Sequence, residues 1–170
     1  LSRPGRPTRI SLVGNPDMHT PSPSLVTRTS HAYAALARLC DRAQPLLALA
    51  IRLYVAHVFL LSGLTKIRSW EGTLALFENE YHVPVLAPHV AAVLGTATEL
   101  GLPLLLVAGL GTRLAALALF AFNIVAVISY PDLSDAGLKD HLLWGALLLV
   151  LAVYGPGTLA LDRWLDRRQD

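Results

Sequence analysis

Three ionisable side chains lie inside long apolar segments of this 170-residue chain: Arg52, His57 and Glu99. A charged side chain in the hydrocarbon core of a bilayer costs about 2.5–3.5 kcal/mol on insertion scales, so each one needs a functional or structural reason. Helical rise places Arg52 and Glu99 within about 5 Å of the same depth, which a long arginine side chain can span. We predict that these two form a polar site between neighbouring helices. The site is either catalytic, with Glu99 relaying protons, or a buried ion pair that only fixes helix register.

Four further side chains are candidate contacts for a bound quinone or other substrate. His57 and Lys66 belong to the first apolar segment and its end, and His141 and Trp144 belong to the start of the last one. Imidazole, ammonium and indole groups can all donate hydrogen bonds to ligand oxygens. A lone histidine on a helix is more often a hydrogen-bonded packing residue than a ligand contact, so both interpretations of His57 stay open.

The elements that must position these side chains are four apolar blocks. Hydrophobic residues make up 54% of the chain and charged residues 15%, against about 45–50% and about 25% in soluble domains. Each block approaches the roughly 20 residues that a membrane-spanning helix needs, and apolar residues lie all round it. A soluble bundle of four such helices would have no polar face. The sequence therefore predicts an all-α fold, an integral membrane four-helix bundle with short amphipathic interfacial helices, whose spans are residues 46–64, 88–110, 114–130 and 138–154.

Two shorter amphipathic segments are expected beside the spans. Trp70, Leu74, Phe77 and Tyr81 recur at spacings of four, three and four, which places them on one helical face. This pattern predicts either a short helix lying on the membrane surface or a packed loop that caps the bundle. Residues 30–44 combine apolar and basic positions and predict a second, basic interfacial helix.

The remaining boundaries follow from composition. Residues 1–29 are expected to be a disordered N-terminal tail rich in Pro, Ser, Thr and Arg, residues 45–165 the four-span membrane domain, and residues 166–170 a cytoplasmic tail. The one methionine is Met18, so we expect the natural chain to start there and residues 1–17 not to be native.

The distribution of basic residues predicts the orientation. With four spans both termini lie on one side of the membrane, and that side carries ten Lys or Arg residues against three on the other. Positive charge is concentrated in cytoplasmic loops. We therefore expect a multi-pass protein of the bacterial inner membrane with both termini in the cytoplasm.

Several classes of site are not predicted. One cysteine, Cys40, leaves no thiol pair for a disulfide, a c-type haem or a four-cysteine iron–sulfur cluster. The six histidines show no spacing typical of a metal site, and the glycines form no nucleotide-binding fingerprint. A net charge of +2 gives no reason to expect a nucleic-acid partner.

Three short motifs then occur in a characteristic order. The first span contains Arg52, Ser62-Gly63 and Lys66, and the second contains Glu99 two residues before Gly101. Behind the fourth span come the sequences GPG at 155–157 and Leu-Asp at 161–162. In this order and spacing the chain resembles the DoxX family of small four-helix bacterial membrane proteins, over roughly residues 45–165.

The resemblance implies a role beside redox enzymes. A related subunit, DoxD, belongs to a thiosulfate:quinone oxidoreductase, and the subgroup that this chain resembles is called putative oxidoreductase. We therefore expect a quinone-linked membrane subunit of an oxidoreductase complex, with quinone as cofactor, a soluble or peripheral redox enzyme as partner, and homo-oligomers also possible. The alternatives are a non-catalytic membrane anchor or assembly partner and a small transporter, although the inverted repeat typical of transporters is not apparent.

Overall fold

A computed structural model describes residues 25–166, and every regular element in that range is an α-helix. Residues 1–24 and 167–170 lie outside the described part. The expected native start at Met18 and most of the expected N-terminal and C-terminal tails therefore also lie outside it. In chain order the helices are α1 (Leu25–Arg68), α2 (Trp70–Asn79), α3 (Pro88–Ala108), α4 (Thr112–Ser129), α5 (Asp135–Tyr154) and α6 (Leu161–Asp166).

Four of these helices are long and apolar enough to cross a membrane. They are α3, α4, α5 and the Tyr33–Arg68 part of α1. Many of their apolar side chains are exposed, among them Leu114 at 75% and Val153 at 66%. Such an apolar exterior is what a lipid environment requires, so the expected all-α membrane bundle is confirmed.

The N-terminal boundaries differ from those expected. Residues 25–29, predicted as disordered tail, are helical, and the separate helix predicted at 30–44 is instead the N-terminal part of α1. Pro45 lies inside this helix. Its ring removes one backbone donor but does not end the helix. The helix before Cys40 and the chain from Cys40 onward form two compact units.

Helices α1 and α3 lie antiparallel and in close contact at one point. Arg52 of α1 contacts the C-terminal end of α3 at Leu106, whereas Gly63 of α1 lies beside Glu99 and Leu100. A Cβ atom on Gly63 would come within 2.9 Å of the Leu100 side chain. The absence of a side chain at Gly63 is therefore what allows the two helices to approach.

One buried apolar cluster joins the four long helices. Its members come from α1, α3, α4 and α5 and are Val55, Ala56, Phe59, Leu106, Ala115, Ala116, Leu119, Leu148 and Leu151. Helices α4 and α5 are further joined by Asn123, whose side-chain nitrogen donates to the backbone oxygen of His141 at 2.9 Å. Hydrogen bonds of this kind are a common way to fix helix pairs in membranes.

Helix α2 packs on the bundle. The Thr73 hydroxyl donates to the backbone oxygen of Lys66 at 3.0 Å, which ties α2 to the end of α1. Phe77 is 7% exposed and packs against Ala91 and Ala92 of α3. The segment is thus a helix, as its spacing predicted, and this helix packs on the bundle, which was expected of the alternative loop.

Candidate functional site

A large cavity lies between α1, α2, α3, α4 and α5, at the end of the bundle that α2 covers. Its volume is about 1070 Å³, at the upper limit of the roughly 300–1,000 Å³ typical of small-molecule sites. Most of its wall is apolar or aromatic. The polar or ionisable side chains in the wall are His57, Ser62, Thr65, Lys66, Ser69, Thr73, Tyr81, Thr98, Glu99, Ser129, Tyr130, His141 and Trp144.

The charged part of this wall is a cluster of Ser62, Lys66 and Glu99, called here the Lys66–Glu99 cluster. The Lys66 ammonium donates to both Glu99 carboxylate oxygens, at 2.7 Å to Oε1 and 2.6 Å to Oε2, and to Ser62 Oγ at 3.0 Å. The Ser62 hydroxyl donates in turn to Glu99 Oε1 at 3.1 Å. The side chains of Lys66 and Glu99 are 16% and 8% exposed. Short contacts from one ammonium to both oxygens are typical of an ionised pair.

Local sequence explains why this cluster forms. Ser62 and Lys66 are one helical turn apart, so both side chains lie on the same face of α1. Gly63, between them, gives α3 the space to bring Glu99 against that face. The ion pair therefore depends on a small residue at position 63 as much as on the charges.

The predicted ion pair between Arg52 and Glu99 does not form. Arg52 is 1% exposed. Its guanidinium lies at the other end of α3, where backbone oxygens of α3 and of the segment after α5 bind it. It donates to Leu106 and Val107 at 2.7 and 2.8 Å, and to Pro156 and Leu159 at 3.2 and 2.8 Å. The carbonyls at a helix C-terminus lack intrahelical partners and carry partial negative charge, so they are natural acceptors for a buried cation.

Asp162 completes this second polar region. Its carboxylate accepts from the backbone nitrogens of Gly111 and Thr112, at 2.8 and 3.1 Å, and so caps the N-terminus of α4. Its own backbone nitrogen donates to the Gly109 oxygen at 3.0 Å. We call Arg52, the 155–162 segment and the α3–α4 turn the C-terminal clasp. The clasp positions Arg52 as a structural residue, and Arg52 does not line the cavity.

The other predicted site residues do line the cavity. His141 Nδ1 lies 2.7 Å from Asn123 Oδ1, so its imidazole is held by α4. Trp144 packs edge-on against Phe59 and His141, with ring centroids 6.0 and 4.8 Å apart. His57 also lies in the wall and is exposed. The structure thus brings together five of the six predicted residues, Glu99, Lys66, His57, His141 and Trp144.

Two aromatic hydroxyl groups belong to the site although sequence reasoning gave them no role in it. The Tyr81 ring lies 5.1 Å from that of Tyr130, and the Tyr130 hydroxyl donates to Glu80 Oε2 at 3.5 Å. Burial raises the pKa of Tyr81, and the nearby Tyr130, Glu99 and Glu80 raise it further. The spacing of Tyr81 on the apolar face of its segment was the available signal, but it indicated packing only.

Two buried donors in the wall have no partner in the described part of the chain. They are the Ser129 hydroxyl and the Trp144 indole nitrogen. Buried polar groups in proteins are almost always hydrogen-bonded, so these two are donors left open in the wall. Within residues 25–166 no group of three or more His, Cys, Asp or Glu side chains is placed to hold a metal ion.

Comparison with known proteins identifies the family. The DoxX family model matches residues 47–131, half of the chain. The chain is also 32% identical over 132 residues to the "Inner membrane protein YphA" of Escherichia coli (strain K12), a match that covers 71% of this chain and 91% of that protein. No solved structure matches the chain. With four membrane-spanning helices and this match over half its length, the chain belongs to the DoxX family of multi-pass membrane proteins.

Proposed function

We propose that this chain is a quinone-linked membrane subunit of an oxidoreductase complex and that its cavity is the quinone site. The observation that carries the proposal is the combination of a largely apolar cavity with one ion pair in its wall. A ligand dissolved in the bilayer needs apolar walls, and a few placed polar groups are enough to orient it.

The chemistry of the wall fits a quinone ring. Aromatic side chains, including Phe77, Phe122 and Trp144, surround the space and offer faces and edges against which a flat ring packs. The unpartnered Ser129 hydroxyl and Trp144 indole can donate to ligand oxygens. Glu99 offers a carboxylate for proton exchange. A bound quinone would supply two-electron, two-proton redox chemistry, for which this chain has no group of its own among its described residues.

In this proposal the polar side chains of the wall have separate roles. Lys66 and Ser62 hold the Glu99 carboxylate against α1 through three short contacts. His141 is held by Asn123 and lines the cavity, and we assign its imidazole a contact with the ligand. Arg52 has no chemical task in this proposal, because the C-terminal clasp uses all three of its nitrogens.

The proposal includes location and partner. The similarity to an inner membrane protein supports the same membrane for this chain, and the excess of basic residues on the terminal side supports termini in the cytoplasm. Electrons would come from a soluble or peripheral redox enzyme. The lone cysteine tests the orientation directly: a membrane-impermeant maleimide should label Cys40, which is exposed, only after the cells are permeabilised. A Cys40→Ser, Asp132→Cys variant should be labelled in intact cells, and the reverse pattern would overturn the orientation.

The quinone site is tested by extraction. The full chain is purified in mild detergent and its bound quinone is quantified by mass spectrometry. Gly95 lines the cavity, and a Cβ there would meet Phe77 and Phe122 only at ordinary contact distance, so Gly95→Leu should fill the space. Gly101 lies on the same helix with open space around it, which makes Gly101→Leu the matched control. We expect quinone with the wild type and the Gly101 variant and a severalfold loss with the Gly95 variant.

The alternative function is a non-catalytic anchor or assembly partner. It is favoured by the C-terminal clasp, in which a buried charged residue predicted to be catalytic has only a structural role. On that alternative no quinone co-purifies, and Glu99→Gln changes stability alone. Retained activity of the complex with Glu99→Gln, together with absence of quinone, would contradict the proposed function.

A further inference from the structure

The open hydrogen-bonding groups in the charged part of the cavity wall suit one redox form of a quinone better than the other. We propose, building on the proposed quinone site, that the cavity binds the reduced dihydroxy form more tightly than the dicarbonyl form, and that Glu99 makes the distinction. The distinction arises because the Lys66–Glu99 cluster has an open hydrogen-bond acceptor but no open donor.

The donors of the cluster are all used within it. An ammonium group has three N–H donors. Those of Lys66 have three acceptors at 3.0 Å or less, namely Glu99 Oε1, Glu99 Oε2 and Ser62 Oγ. The Ser62 hydroxyl has one donor, which it directs to Glu99 Oε1. The cluster therefore has no donor left for a ligand carbonyl.

The acceptors of the cluster are not all used. An ionised carboxylate has about four acceptor positions. Within the described part of the chain Glu99 receives two donors at Oε1 and one at Oε2. The open position is on Oε2, and Glu99 is in the cavity wall. What this cluster can still bind is an O–H group.

The two forms of a quinone differ at this point. A hydroquinone hydroxyl can donate to the carboxylate, and hydrogen bonds with an ionised acceptor are roughly twice as strong as neutral ones. A quinone carbonyl can only accept, so its oxygen would face a carboxylate without a proton between them. The donors of Ser129 and Trp144 can serve the oxygens of either form, so they do not offset the difference.

Tighter binding of the reduced form would shift the midpoint potential of the bound quinone. If the dihydroxy form binds about tenfold more tightly, the two-electron midpoint potential of bound quinone rises by about 30 mV relative to free quinone. Reduction of quinone at this site is then favoured. The reduction takes two electrons from the reducing partner and two protons from bulk water, and Glu99 then accepts a hydrogen bond from one hydroxyl of the reduced product.

The test compares the two forms of one ligand. The purified full-length chain is titrated anaerobically with decyl-benzoquinone and with the corresponding hydroquinone, and binding is followed by isothermal calorimetry. We expect about tenfold tighter binding of the hydroquinone to the wild type. Glu99→Gln supplies an N–H donor in place of an acceptor and should remove this preference. Glu71→Gln makes the same change at an exposed position of α2 and should keep it.

The outcomes separate this inference from the proposed function. If neither form binds, both fail. If both bind equally or the quinone binds more tightly, or if Glu99→Gln keeps the preference, the cavity is still a quinone site but this inference is wrong. A redox titration of quinone bound to the wild type needs no variant that might unfold, and a midpoint at or below that of free quinone would overturn the inference on its own.

Discussion

Replacing Arg52 by methionine should destabilise the bundle without emptying the cavity. The side chain keeps most of its length, but four backbone oxygens lose their donor. The Leu106 oxygen still receives the Gly109 nitrogen, at 3.2 Å. The oxygens of Val107, Pro156 and Leu159 are left to find water or stay unpaired. These three contacts are only partly buried, so water can reach some of the freed oxygens, and we expect a cost of about 1–3 kcal/mol, that of one unsatisfied buried acceptor.

The assay is equilibrium unfolding in mixed micelles, followed by circular dichroism. Arg42→Met removes the same charge from an exposed position of α1 and should change the free energy of unfolding by less than about 0.5 kcal/mol. Arg52→Lys should fall between, because one ammonium cannot reproduce the fork of a guanidinium. Equal stability of the Arg52→Met and Arg42→Met variants would refute the structural role. So would loss of quinone from a fully stable Arg52→Met variant, because Arg52 would then act in the site.

Three further predictions concern the clasp and the cap. Gly109 has φ +71°, and a Cβ there would lie 2.6 Å from Arg52 Nη2. Gly109→Ala should therefore lower the thermal midpoint clearly more than Gly111→Ala, because Gly111 has φ +54° but open surroundings. Equal shifts of the two midpoints would contradict this packing. Asp162→Ala should cost about 1–2 kcal/mol in the same unfolding assay, because the N-terminus of α4 loses its cap; an unchanged free energy would show that the cap is dispensable. The pKa of Tyr81 is raised above the usual value near 10, mainly by burial. Its neutral form therefore stabilises the fold below about pH 10, and this contribution is lost as the pH rises through the raised pKa. An ultraviolet titration should show one late-ionising tyrosine that is absent in Tyr81→Phe, and its persistence in that variant would contradict the assignment.

The four spans could be predicted from the sequence because length and apolar content alone decide whether a helix crosses a bilayer. That Glu99 needs a partner was also predictable, since a lone charge in a membrane is costly.

The identity of that partner could not be predicted, because helix register cannot be read from apolar blocks. The structure places Arg52 level with Leu106, seven residues beyond Glu99 along α3. That is about 10 Å of helix, twice the depth difference estimated from the block ends. Lys66 follows the end of the first predicted span, yet in the structure its ammonium is largely buried against Glu99 of α3. The acceptors of Arg52 are backbone carbonyls, which leave no signal in a sequence.

The account depends most on the cavity being the place where a quinone binds. Photo-crosslinking of the purified chain with an azido-quinone, followed by peptide mapping, locates that place directly. The account predicts label on the cavity faces of α1, α3 and α5, at residues 57–66, 94–99 and 141–144, and loss of label when unmodified quinone competes. Label confined to exposed outer positions such as Leu114 and Val153, or label that competition does not reduce, would contradict it.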